Sequence, residues 1–349
     1  MGLAVRTERY GLNIGTPDIK SVGSLAFGPE GILFVADNVG ATIFAIGVGD
    51  ADEVSEPRAL NVDTLDTRLA AYLGCSRDEV FIRDMAVHPS SQEVYLSVMR
   101  GSGAAAVPVL ITVGTDGALS DVPLESVPFS HTGIGNAPTE DDERTAGRDR
   151  LRTVTVTDMA YVDGILLVAG ASNEEFSSAL RRIPFPFNGD MLSNSLEIFH
   201  VSHGRYETAS PIRTFMPYGG NTSILASYTC TPVVHFSLKD VKAGAQVKGR
   251  TVAELGAGNT PIDIVSYARD GEEYLLVSNA RHPLMKIASK DIDRQKPLTE
   301  AQGPIGVPRE TLSHKGVSHM ANLNGSYVLM MQRDDAGEVS LRSYSSATL

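Results

Sequence analysis

The sequence predicts an all-β fold built by radial repetition, and three observations predict it. A strand, tight turn, strand phrase recurs six times along the 349 residues. Each copy is followed by a third apolar strand, and 33 Gly and 18 Pro supply the turns. Short runs rich in β-branched residues between Gly-rich turns are the mark of all-β architecture. Copies starting 49 to 74 residues apart give room for three or four strands each, the size of a propeller blade.

In chain order the copies occupy 24–38, 84–100, 158–173, 214–230, 263–280 and 319–333. Third strands follow at 42–46, 109–113, 179–185, 232–238, 284–288 and 339–344. Fourth strands are expected near 59–62, 121–124, 196–202 and 249–255. The last copy has no room for one, so the N-terminal segment 3–11 is expected to join it and close a six-bladed ring. A seventh blade would need a further copy within 186–215. The chain reads as a single propeller domain, 1–349, with insertions at 63–74 and 130–152 that enter the top face. In the first insertion Leu65, Leu69, Tyr72 and Leu73 have helical spacing, with Asp63 placed to cap and Gly74 to end the helix. The second is polar and of mixed charge, and reads either as a lid over the mouth or as a solvated loop.

Composition removes several function classes. A net charge of −12 opposes nucleic acid and anionic membranes, both of which require clustered Lys and Arg. Two cysteines, Cys75 and Cys230, are too few for a four-cysteine zinc site or a disulfide scaffold. There is no apolar run of about 18 residues, so no membrane-spanning helix is expected. The N-terminus has no apolar signal region, so the expectation is a cytoplasmic monomer or small homo-oligomer; an exported form with its signal removed is the alternative.

The first copy with its third strand, 24–46, resembles an NHL-type repeat, and the pattern as a whole is similar to six-bladed propellers of the NHL, YVTN and gluconolactonase-like kind. The resemblance implies that the innermost strand descends from the top face along a central channel and that the second strand returns. Residues starting first strands would then meet residues ending second strands at one mouth. The first ring is Ser24, Asp84, Asp158, Thr214, Asp263 and His319. The second includes Asp37, Asn38, Arg100, Asn173, Glu174, Cys230, Asn279, Arg281, His282 and Arg333.

Asp84, Asp158, Asp263 and His319 at equivalent positions are candidate ligands for a divalent metal ion: calcium by the carboxylates, zinc, iron or copper once imidazole is added. The gluconolactonase pattern places its metal ligands one position earlier, where this chain has Arg83, Thr157, Ile262 and Ser318, so that ligand set does not transfer. The phrase at 156–160 resembles one in peptidylglycine amidating lyase, whose zinc is held by several histidines; here one histidine, His319, stands at a first-ring position.

His319, Glu174, His282 and Cys230 are candidates for proton transfer or nucleophilic work. His200 and His203, three apart on an expected strand, point to opposite faces. Arg100, Asn173, Arg205, Arg213, Asn279, Arg281 and Arg333 are candidates to bind substrate, the arginines by bidentate contact with a carboxylate or phosphate. Two readings stay open: a metal-dependent enzyme acting on a small polar molecule, and a noncatalytic propeller that binds a ligand or a protein. With no Trp and 6% aromatic residues the chain is poor in interface anchors, which favours the enzyme.

Overall fold

A computed structural model describes residues 8–49, 54, 56, 58–230, 232–242, 244–256, 258–301 and 303–349. Six sheets, antiparallel except where Val247–Lys248 adds in parallel to Leu196 and Glu197, stand around one axis as a six-bladed β-propeller. Their inner strands are Leu25–Phe27, Val80–Val87, Asp158–Val162, Thr214–Tyr218, Pro261–Arg269 and Val317–Leu323, numbered here as blades one to six. The expected second and third strands are present in every blade.

The blades do not follow one another in chain order. Inner strands meet in the sequence two, one, three, four, five, six and back to two. Each interface has its own apolar core. Phe34 and Ile43 of blade one pack with Met159 and Val168 of blade three. Val35 packs toward Tyr95 of blade two, and Leu96 of blade two with Leu329 and Leu341 of blade six. The reason lies in the outer strands. Blade one takes its fourth strand, Val127–Gly133, from beyond blade two, and Asn13–Gly15 adds a fifth.

Ring closure therefore differs from expectation. Residues 59–62 complete blade six rather than blade one: Val62 pairs with Leu341, and Leu60 and Asn61 bond to Ser343. The segment proposed to close the ring lies elsewhere. Residues 3–7 fall outside the described residues, and Tyr10 stacks on Phe185 of blade three at 5.8 Å.

The first insertion forms the helix Leu65–Leu73, with Leu65 and Leu69 fully buried against blades two and six. Gly74 ends it in the left-handed conformation, φ 64°. Asp63 does not cap it; Thr64 holds that place, and Asp63 pairs with Arg342. The second insertion is anchored rather than free. Arg181, fully buried, donates to Asn136 Oδ1 and to the Thr155 and Ala171 carbonyls, while Arg152 reaches the Pro138 and Val39 carbonyls. Burial lowers the Arg181 guanidinium to about 10.

Candidate functional site

Spatial order turns the first ring into a simple alternation. Around the channel it reads Asp84, Ser24, Asp158, Thr214, Asp263, His319. Each aspartate joins its own blade to the next. Asp84 accepts the Met85 and Leu25 N–H groups, both at 2.7 Å. Asp158 accepts Met159 at 2.7 Å, Phe215 at 2.8 Å and the Thr214 hydroxyl at 3.0 Å. Asp263 accepts Ile264 at 2.7 Å and Met320 at 2.6 Å. Ser97 and Ser278, opposite Asp84 and Asp263, donate to the Gly23 and Ser318 carbonyls of the same neighbouring blades. In blades two, five and six the register slips beside the ring residue, and such bulges re-aim side chains.

Crowding three carboxyls around a narrow channel favours their neutral forms. Burial pushes Asp84 up to about 6; burial, then the charge of Asp84, pushes Asp158 to about 7; Asp263 is raised well above the ordinary value by burial and by both other carboxyls. Burial lowers His319 to about 4. Its Nδ1 lies 3.5 Å from Asp84 Oδ1, a contact between a neutral imidazole and a readily protonated carboxyl rather than an ion pair. Some 19% of the Asp84 side chain and 16% of His319 still face the channel, so water moderates both shifts.

Above the ring lies a cavity of about 370 Å³, walled also by Arg83, Asp149, Thr157, Arg213 and Thr260. Arg213 pairs with Asp149 at 2.9 Å. Arg83 is exposed, packs over the Phe81 ring at 5.5 Å, and makes no ion pair among the described residues. An adjoining cavity of about 420 Å³ shares Arg83 and His319 and adds Asn279 and Arg333.

The structure thus gathers Asp84, Asp158, Asp263, His319 and Arg213 at one mouth and places Asn279 and Arg333 beside it. Asn279 is occupied by Asn259, and Arg333 by the Gly337 carbonyl. Other candidates lie apart from both cavities. Arg144 grips the Asn173 and Glu174 carbonyls, and the Glu174 carboxylate meets Ser195 on the outer strand of blade three. Arg100 bonds the Leu73 carbonyl. His282 and Arg281 are exposed, near Gly256 and near Gly258 and Asn259 respectively. Arg83, Asp149, Thr157 and Thr260 were not anticipated. Arg83 sits one position before Asp84, where a ring-flanking residue could have been suspected.

Cys230, His200, His203 and Arg205 meet at a different place, the top corner between blades three and four. The strand Leu192–His200 ends there, and Val201–His203 form a 3₁₀ turn. Side chains three apart eclipse in such a turn, so the two imidazoles lie against each other, centroids 4.1 Å apart and planes tilted by 40°, where a continuous strand would have separated them. Glu207, on the returning strand Arg205–Glu207, accepts His200 Nδ1 at 2.8 Å and His203 Nδ1 at 2.6 Å; Arg205 Nε adds a third contact at 3.1 Å. Burial pushes the Glu207 carboxyl up, but these hydrogen bonds outweigh it and hold it near 2. Cys230, which forms no disulfide, takes φ 68°, a left-handed conformation costly for a residue with a Cβ. Ligand atoms of His200, His203 and Cys230 lie within 4.8 Å of one another.

No protein-family model matches the chain, and no curated protein sequence matches it. Among solved structures it is similar to a streptogramin B lyase, at 9% identity over 95% of this chain and 97% of that one, TM-score 0.39. It is also similar to the β-propeller domain of Myceliophteria thermophila Cps50 (Swd1), at 12% identity over 93% and 84%, TM-score 0.41. A third is the PQQ-bound aldose sugar dehydrogenase of Streptomyces coelicolor, at 13% identity over 95% and 97%, TM-score 0.38. At these values none of them carries an argument about chemistry or propeller type; the six-bladed ring rests on the strand pairing itself. No helix among the described residues is long and apolar enough to cross a membrane.

Proposed function

We propose that the chain is an enzyme, of the NHL- or gluconolactonase-like kind of propeller, that acts on a small anionic polar molecule at the channel mouth. The observation that carries this reading is the pairing of Asp84 with His319. A carboxyl raised to about 6 and an imidazole lowered to about 4 stand side by side, both open to a polar cavity. A group whose proton is held near neutrality, as that of Asp84 is, can give and take it in a transition state. Near pH 7 His319 is neutral and offers a hydrogen bond beside it, while Asp84 exchanges its proton readily. Arg83, without an acidic partner, is placed to receive a carboxylate or phosphate, and Arg213 can turn toward it from Asp149.

A metal bound directly by Asp84, Asp158, Asp263 and His319 fits this arrangement poorly. Each carboxyl already accepts two backbone N–H groups, and the four residues do not form a set of ligand atoms within 4.8 Å of one another. No step is therefore routed through an ion in the channel.

A thermal-shift screen of small carboxylates and phosphates tests the reading. Stabilising compounds should lose their effect in Arg83→Ala. In Asp84→Asn they should still bind, while their turnover, followed by mass spectrometry, falls at least a hundredfold. Compounds that bind equally well to Arg83→Ala, or that bind without ever turning over, would overturn it; the second result would make the mouth a noncatalytic receptor.

A further inference from the structure

We infer that His200, His203 and Cys230, with Glu254 close to His200, form a transition-metal site of the zinc type at the top corner between blades three and four. It lies outside the channel and does not depend on the channel's function. Glu207 occupies both Nδ1 atoms, which leaves the two Nε2 atoms to ligate. A carboxylate behind the histidines is the usual way a protein fixes imidazole tautomer and aim toward a metal. His200 is 3% exposed, and its buried Nε2 has no hydrogen-bond partner. Glu254 is fully buried at the end of the outer strand Arg250–Glu254 of blade four; no hydrogen bond of ordinary geometry reaches its carboxyl oxygens, although His200, Ser202 and the Gly256 backbone lie close enough to ease its charge. Its Oε2 stands 3.8 Å from His200 Nε2.

A buried carboxylate facing a buried, unpartnered imidazole nitrogen is expensive in isolation. A divalent cation between them removes that cost. Two imidazoles and a thiolate are ligands that zinc accepts, and tetrahedral ligand atoms sit about 3.4 Å apart, so the His200, His203 and Cys230 atoms, within 4.8 Å of one another, close by up to about 1.4 Å, with the Glu254 carboxylate or a water at the fourth position. Binding would take the thiol proton of Cys230 to solvent and leave a metal–thiolate bond. The ligands come from two blades, so the ion would also tie blade three to blade four. His203, with 46% of its side chain exposed, marks the open side through which an ion or a further ligand enters.

Cobalt(II) titrated into the full-length, metal-free protein tests the site. One ion per chain should bind, with the near-ultraviolet absorption of a cobalt–thiolate bond and the intense visible bands of a tetrahedral centre, and Zn²⁺ should displace it. Cys230→Ser should abolish the thiolate band, and Glu207→Gln should weaken binding 10- to 100-fold, roughly the effect of losing a carboxylate behind a ligating histidine. Asp158→Asn should leave both spectrum and affinity unchanged, which separates this site from the channel. Circular dichroism establishes that each variant is folded. Absence of stoichiometric Co²⁺ and Zn²⁺ binding by the wild type, or an unchanged spectrum in Cys230→Ser, would overturn the proposal.

Discussion

At the channel mouth every aspartate of the ring is satisfied by backbone N–H groups of two blades, and the arrangement repeats three times with nearly the same distances. At the corner between blades three and four nothing repeats. Glu254 and His200 Nε2 are buried there 3.8 Å apart without a hydrogen bond of ordinary geometry, and a cysteine is held at positive φ. The contrast separates two uses of polar residues. Those at repeat positions are inter-blade fasteners, and both proposed sites fall where the repetition breaks. His319 is such a break within the ring, taking the place that Ser24 and Thr214 hold elsewhere, and it is the reason Asp84 is the aspartate we assign to catalysis.

The largest test of this contrast is Asp158→Ala. It strands two N–H groups and the Thr214 hydroxyl, at a cost of about 3 kcal/mol in urea denaturation. His203→Ala, at the exposed edge of the corner, should stay within about 1 kcal/mol of the wild type. Equal losses would erase the distinction.

Next in size is the pH response of the ring. Asp84 at about 6 and Asp158 at about 7 lie above their unfolded value of roughly 3.9. The folded protein therefore binds more protons than the unfolded chain between those values. The carboxyls' contribution is greatest below about pH 4, falls as pH rises through the folded pKa values, and is flat above them, by at most about 3 kcal/mol for Asp84; the lowered imidazole of His319 acts in the opposite direction at acid pH and offsets part of it. Urea midpoints should be higher at pH 5 than at pH 8, and Asp84→Asn should shrink that difference. An unchanged difference in Asp84→Asn would show that its carboxyl is not so shifted.

A smaller effect has the opposite sign. Cys230→Gly removes the cost of a Cβ at φ 68° and should stabilise the metal-free protein by about 1 kcal/mol in thermal or chemical melts. The smallest is Asp149→Asn. The Asp149–Arg213 pair is half exposed, so stability should move by less than about 1 kcal/mol, while anions at the mouth bind more tightly once Arg213 is released.

Much of the fold was legible because a blade is a local object. Copies such as 158–173 carry both strands and their turn in one stretch, and the ring positions followed from aligning them. Blade order was not legible, because it depends on where outer strands go. Residues 59–62 look like the fourth strand of the preceding blade, yet Val62 finds Leu341. The strand 127–133 looks like the opening of a loop, yet it completes blade one. Within the mouth, Asp84, Asp158, Asp263 and His319 were visible as repeat positions, whereas Asp149 and Thr260 lie in connecting segments with no pattern to reveal them. At the corner, strand alternation separated His200 from His203, and a single 3₁₀ turn reversed the outcome. Glu207 and Glu254 gave no signal, because their role depends on two blades meeting.

The displaced outer strands also matter for how the polypeptide is made. Blade one lacks an edge until residue 133 has left the ribosome, and by then all of blade two has been synthesised. The bridge at Val62 and the helix after it must wait for blade six, since Leu329 and Leu341 are what they pack against. Vectorial synthesis thus yields a paired two-blade unit early, with one apolar flank left uncovered until blade six is made. A nascent chain stalled before blade six is the form most exposed to aggregation and to chaperones.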